Sequence, residues 1–110
     1  MTLSPALTQA LGNRELWFSM TAFLVEVRIE CGHAIGRIYA DVLERFADGS
    51  PHCSAEIESL VMRQGYWTFT TVEAERYVIV SFAGPAGQRS FYGFARLMAE
   101  GLFRTPTTVH

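Results

Sequence analysis

Twice in this chain an alternating strand pattern gives way, at a glycine-marked corner, to an amphipathic helical pattern. That recurrence constrains the fold more than any other feature. In the first copy, apolar and charged residues alternate over residues 23–30, a corner falls at Cys31, Gly32 and His33, and a helical stripe continues to Phe46. In the second, residues 77–82 form the strand, Gly84, Pro85, Ala86 and Gly87 the corner, and a helix runs on to about Phe103. A period of two marks a strand, and recurrence at i, i+3 and i+4 marks a helix. Two such units predict an α+β sandwich, an antiparallel sheet with helices packed on one face.

The segments around these units complete the plan. Ser4 before Pro5 reads as an N-cap followed by proline at the first helical position, with Gly12 past the end. Leu7, Ala10 and Leu11 then line one side of a short N-terminal helix, which is too short to stand alone and must lean on the body of the domain or on a partner chain. Residues 16–30 read as one long strand whose apolar parity changes: Phe18, Met20, Ala22 and Leu24 in the first half, Phe23, Val25, Val27 and Ile29 in the second. Side chains alternate strictly along a strand, so the buried face switches near residues 22–24. Either a bulge lies there, or the first half is covered on its other side by the N-terminal helix or a second subunit. The second-subunit option predicts a homodimer formed through the sheet or this first strand.

In the first main helix, Ile35, Ile38, Val42 and Phe46 form a stripe widened by Tyr39 and Leu43, ended by Asp48, Gly49, Ser50 and Pro51. Residues 54–63 fit a helix through Ile57, Leu60 and Val61, or a strand through Ile57, Ser59 and Val61; the helix is preferred. Residues 66–72 and 77–82 read as an antiparallel hairpin. The last helix aligns Phe91, Phe94, Ala95, Met98 and Leu102, and residues 104–110 either add an edge strand or stay loose. The order is close to a split βαβ, ferredoxin-like plan in a single α+β domain spanning residues 1–110. Its architecture is similar to that of dimeric α+β barrel proteins and small ligand-sensing regulatory domains, a likeness that carries no residues across.

Composition narrows the function classes. The net charge is −2, and all 9 basic residues are arginines scattered along the chain, which gives no electrostatic footprint for nucleic acid. The longest uncharged apolar stretch, residues 16–25, is about half of the roughly 20 residues a membrane helix needs, and the N-terminus has no basic region typical of a signal peptide. A cytoplasmic protein bound to neither nucleic acid nor membrane is expected.

Four places carry side chains with chemistry. Cys31, His33, His52 and Cys53 are ligands of the kind zinc takes. A helix over residues 33–47 would hold the two pairs about 22 Å apart, which excludes both an intramolecular metal site and a Cys31–Cys53 disulfide. No metal and no cofactor are therefore expected, although a site between subunits survives the argument. His33, at a strand-to-helix corner with Arg37 one turn on, suits a general acid–base with an anion partner; the plainer reading is a loop histidine. Gly84, Gly87 and Arg89 could cradle an anion, but the motif lacks the order of a phosphate loop. Finally, 2 Trp, 4 Tyr and 8 Phe exceed what a small core needs, and Trp17, Phe23, Tyr66, Trp67 and Tyr92, with Arg89, are the candidates to line a pocket between sheet and helices. The function expected is binding of a small apolar or aromatic ligand, with His33 and Arg37 catalytic should the protein be a cofactor-independent enzyme. The alternative is a non-catalytic interaction or regulatory module acting through its sheet and aromatic hairpin.

Overall fold

Two tight turns decide the architecture. Cys31 and Gly32 have φ of 52° and 83°, and Gln64 and Gly65 have 51° and 83°. Positive φ at both central residues is the signature of the two-residue hairpin turn whose twist matches that of paired strands. The chain therefore doubles back at each place as a β-hairpin. The computed structural model describes residues 4–101. Its elements are α1 (Pro5–Leu11), α2 (Arg14–Trp17), β1 (Ala22–Glu30), β2 (His33–Tyr39), β3 (Ser50–Arg63), β4 (Tyr66–Thr71), β5 (Arg76–Ile79) and α3 (Gly84–Ala99). The strands close a barrel in the order β1-β2-β3-β4-β5, antiparallel throughout except where β5 returns alongside β1 in parallel. The fold is α+β, a five-stranded sheet with a C-terminal helix packed on β1.

This overturns the ferredoxin-like reading at its central element. The first main helix expected over residues 33–46 is instead strand β2 followed by a loop. Ala34 and Ile38 are fully buried, while Val42 and Phe46 of the expected stripe are 53% and 42% exposed. Gly36 explains the choice. It lies between the pairs Val25↔Arg37 and Arg28↔Ile35, so it alone opposes Glu26 and Val27, and a Cβ there would sit 2.6 Å from the Val25 carbonyl oxygen. Residues 54–63 are likewise strand rather than helix, within β3.

The parity change in the first strand lies later than the expected 22–24: the bulge falls between Val25 and Arg28, so Phe23 and Val25 face away from Val27 and Ile29 instead of sharing their face. Before the bulge, Ala22 and Leu24 point into the barrel; after it, Val27 and Ile29 do. Glu26, at φ 55°, absorbs the extra residue. Phe23 and Val25 face outward and are covered by Leu7, Ala10, Leu16 and Met20 from α1, α2 and the turn that follows. The chain supplies this cover itself, so the first strand gives no reason for a second subunit. Residues 16–21 are not strand: α2 and a turn occupy them. The N-terminal helix, the 66–82 hairpin and α3 lie where the sequence puts them, with Ser4 accepting from the Leu7 N–H as N-cap. Leu102 and the tail at 104–110 lie outside the described residues.

Candidate functional site

α3 is fastened to β1 by backbone contacts at its first turns. The Ala83 N–H donates to the Val27 carbonyl at 2.9 Å, and the Ile29 N–H donates to Ser90 Oγ at 2.9 Å. Gly87 lets the helix come this close, since a Cβ there would lie 2.7 Å from the same Val27 oxygen. Phe91 and Phe94 are then driven into the barrel core, with Phe82 and Trp67 against Phe91 at 5.2 and 5.4 Å.

With its core stripe so placed, α3 leaves a groove along each flank. The larger, about 580 Å³, runs between the Cys31–Gly32 turn with Ile29 on one side and Arg89, Gly93, Arg96 and Leu97 on the other. Its floor is apolar, and its rim carries Arg89, Arg96 and the carboxylate of Glu100. Arg96 is paired with Glu100 at 3.0 Å, whereas Arg89 makes no ion pair or hydrogen bond among the described residues. The smaller groove, about 350 Å³, lies between β3 and α3 and is lined by Glu58, Ser59, Leu60, Trp67, Ala95, Met98 and Ala99.

A second concentration of chemistry closes the opposite end of the barrel, where loop 40–49 crosses it. The Arg45 guanidinium bridges Asp41 through Nε and Nη2 at 3.1 and 3.2 Å and also reaches Glu75. The Tyr77 hydroxyl donates to Glu75 Oε1 at 2.7 Å. Its single hydrogen is spent there, so the 3.1 Å contact with His52 requires Nε2–H on the imidazole as donor. The Phe46 ring meets His52 edge-on at 5.0 Å.

The titrations follow from this packing. Burial pushes the Tyr77 hydroxyl well above its usual range, with its bond to Glu75 adding to the effect. Burial, reinforced by the Arg45 charge, holds the His52 imidazole below its ordinary value. For Asp41, burial acts upward but is outweighed by hydrogen bonds from Arg45 and Leu43, and the carboxyl sits low. Among the described residues no buried side-chain nitrogen or oxygen lacks a partner. The hydrogen bonds of Asp41, Arg45, Glu75 and Tyr77 hold the loop across the barrel, and His52 Nδ1 has no hydrogen-bond partner among the described residues.

The residues nominated from sequence are dispersed rather than gathered. Arg89 lines the large groove, Trp67 the small one, and the Tyr92 hydroxyl lies 3.4 Å from the Trp67 indole nitrogen. Trp17 and Phe23 pack together at 5.4 Å on the far side, against α1, and Tyr66 borders that same cluster. No single aromatic pocket collects them. His33 opens β2, its Nδ1 2.9 Å from the Ser54 carbonyl, and Arg37 reaches the Gly49 carbonyl at 2.9 Å. Four residues along a strand span about 13 Å, not the single turn a helix would give, so the premise that joined His33 to Arg37 does not hold.

The helical spacing that separated the two Cys/His pairs is also absent, since Cys53 lies opposite Ile35 on the adjacent strand. His52 nevertheless turns to Tyr77, and among the described residues no group of three or more His, Cys, Asp or Glu is placed to hold a metal ion. Nor is any helix among the described residues long and apolar enough to cross a membrane.

Sequence reasoning missed the barrel-end network. Asp41 and Arg45 fall inside the segment read as the first main helix, and nothing local marked Glu75 or Tyr77 as their partners. No family model matches the chain, and neither does any curated protein or solved structure.

Proposed function

We propose that the protein binds a small amphipathic anion in the groove between α3 and the Cys31–Gly32 turn. The ligand class is an apolar body carrying one carboxylate or phosphate. The observation that carries this reading is the combination of an apolar floor, Ile29, Phe94 and Leu97, with Arg89 on the rim and unpaired among the described residues. Burial of an apolar tail supplies the affinity, and Arg89 fixes the orientation by a charge-assisted hydrogen bond to the head group. The apolar-ligand reading of the sequence is thus retained, with the site moved from an aromatic pocket to this flank of the helix.

The test is calorimetric titration with dodecanoate and, as its uncharged counterpart, dodecanol. Dodecanoate is expected to bind more tightly than dodecanol, and Arg89→Ala is expected to erase the difference. An exposed ion pair is worth about 1 kcal/mol, so the preference amounts to about fivefold. Failure of dodecanoate to bind at millimolar concentration, or a preference untouched by Arg89→Ala, would overturn the proposal. A second reading, a non-catalytic interaction module acting through the sheet, is favoured by one observation: the outer part of β3 carries exposed apolar side chains, Val61 at 44% and Met62 at 49%.

A further inference from the structure

The charged side chains on the rim of the large groove follow a definite order along α3. Arg89, Gly93, Arg96 and Glu100 recur at i, i+4, i+7 and i+11, so they share the flank that faces the Cys31–Gly32 turn, with Glu100 as the C-cap residue. Arg89 and Arg96 are two helical turns apart, about 10.5 Å along the axis. Gly93 stands between them, and a Cβ there would meet nothing within 4 Å, so the space between the two arginines is open. Two long guanidinium side chains flanking such a gap are placed to turn to one anion lying over Gly93.

Only one of the two is free to do so. Arg89 is unpaired among the described residues, whereas Arg96 Nε is held by Glu100 Oε2 at 3.0 Å. As a helix-stabilising pair this one is badly arranged. An acid preceding its base is the better order at i, i+4, and a carboxylate at a helix C-terminus meets the negative end of the dipole. Glu100 has the wrong sign on both counts. At the groove its effect is definite: among the described residues the rim would carry two positive charges without it and carries a net one with it. Glu30, beside the turn, is paired with Arg28 and leaves that balance unchanged.

We infer that Glu100 sets the charge the groove accepts. A monoanionic carboxylate head is taken by Arg89, while a dianionic phosphate monoester is disfavoured, because its second charge finds Arg96 occupied and Glu100 beside it. This inference rests on the ligand reading of the same groove and narrows its ligand class from carboxylate or phosphate to carboxylate.

The test is calorimetric titration of the full chain with dodecanoate and dodecyl phosphate, which share one tail, at pH 8. A phosphate monoester has its second pKa near about 6 and is dianionic there. The wild type is expected to bind dodecanoate more tightly. Glu100→Gln, which keeps the size of the side chain, is expected to shift the affinity ratio toward dodecyl phosphate by about fivefold, the worth of one exposed ion pair. Adding Arg96→Gln to Glu100→Gln is expected to return the ratio to that of the wild type, since the rim again carries one positive charge. Glu44→Gln, in the loop at the opposite end of the barrel, makes the same change in net charge and is expected to leave the ratio alone. All these side chains are exposed, and an unchanged circular dichroism melt verifies each fold. A wild type that prefers dodecyl phosphate overturns the inference but leaves the ligand reading standing. So does a ratio unmoved by Glu100→Gln, one moved equally by Glu44→Gln, or one still shifted in the double variant. Failure of dodecanoate to bind at all overturns both.

Discussion

Two glycines on α3 supply a matched pair of substitutions with opposite expected signs. Gly87→Ala and Gly93→Ala each add one methyl group to the same helix, and each removes the glycine penalty of at most about 1 kcal/mol. At Gly93 a Cβ meets nothing within 4 Å, so the gain is expected to survive, raising the melting temperature by about 2–4 °C. At Gly87 the methyl would lie 2.7 Å from the Val27 oxygen and 3.0 Å from Ala83 Cβ. The Val27 oxygen belongs to the backbone of a barrel strand and cannot swing aside. The helix must lift instead, at an overpacking cost of about 1–3 kcal/mol. That movement also stretches the Ala83–Val27 and Ile29–Ser90 hydrogen bonds, each worth about 1 kcal/mol net. With the glycine gain subtracted, the net is a loss of about 2–4 kcal/mol, or a melting temperature lower by about 8–16 °C. Thermal unfolding followed by circular dichroism, with urea titration as a check, reads both. The dodecanoate titration adds a functional arm: Gly93 lines the large groove, so Gly93→Ala is expected to weaken binding while strengthening the fold. Equal stability shifts of the same sign in the two variants would refute the argument that α3 is seated by backbone contact at Gly87.

The remaining predictions concern the barrel itself. Gly36→Ala would raise stability by up to about 1 kcal/mol were residue 36 helical. Opposite the β1 bulge, with a Cβ 2.6 Å from the Val25 oxygen and 3.3 Å from Val27 Cγ2, it is expected to cost about 1–3 kcal/mol, and a stabilised variant by urea titration would sink the strand assignment. His52, held below its ordinary value of 6.5 by burial and by Arg45, favours the folded state when neutral. That contribution is complete above pH 6.5 and is lost as pH falls through the lower folded value. His52→Gln keeps a donor for Tyr77 but cannot titrate, so its unfolding free energy is expected to vary less with pH just below 6.5 than that of the wild type; an unchanged slope would remove His52 from the account. Asp41, lowered by its bonds to Arg45 and Leu43, adds stability above its ordinary value of 3.8 that disappears as pH falls through its folded value, and Asp41→Asn is expected to blunt that final acid loss.

The sequence was most legible where one local signal had one structural answer. The Ser4–Pro5 cap, the 66–82 hairpin and the buried stripe of α3 needed no distant partner to be read correctly. It misled where one local signal had two. Ile35, Ile38, Val42 and Phe46 satisfy a helical period, and it is the distant pairing with β1 and β3, with Gly36 close against the Val25 carbonyl, that makes residues 33–39 a strand instead. The two-residue turn at Cys31 and Gly32 was visible as a corner, but a corner leads into a helix or a second strand with equal ease. Residues 54–63 were read as helix, wrongly, for the same reason, because Ile57 and Val61 fit both periods.

The site was less legible than the fold because it is assembled by closure. Once β5 runs beside β1, the chain after it must leave the barrel, and the contacts of Val27 and Ile29 with α3 fix where that helix lies. Arg89 gains a groove only because Gly87 and Ser90 bring that flank against the Cys31 turn. The same closure carries Tyr77 and Glu75 to the end crossed by loop 40–49, where Arg45 finds them. Arg45 and Glu75 lie 30 residues apart, so no local period relates them. The two ends of the barrel consequently differ in kind. One is sealed by a network in which the charged groups, Asp41, Arg45 and Glu75, are paired with one another. The other leaves an unpaired cation beside apolar surface, and that asymmetry is why a ligand is sought along α3 and not at the more conspicuous cluster of ionisable side chains.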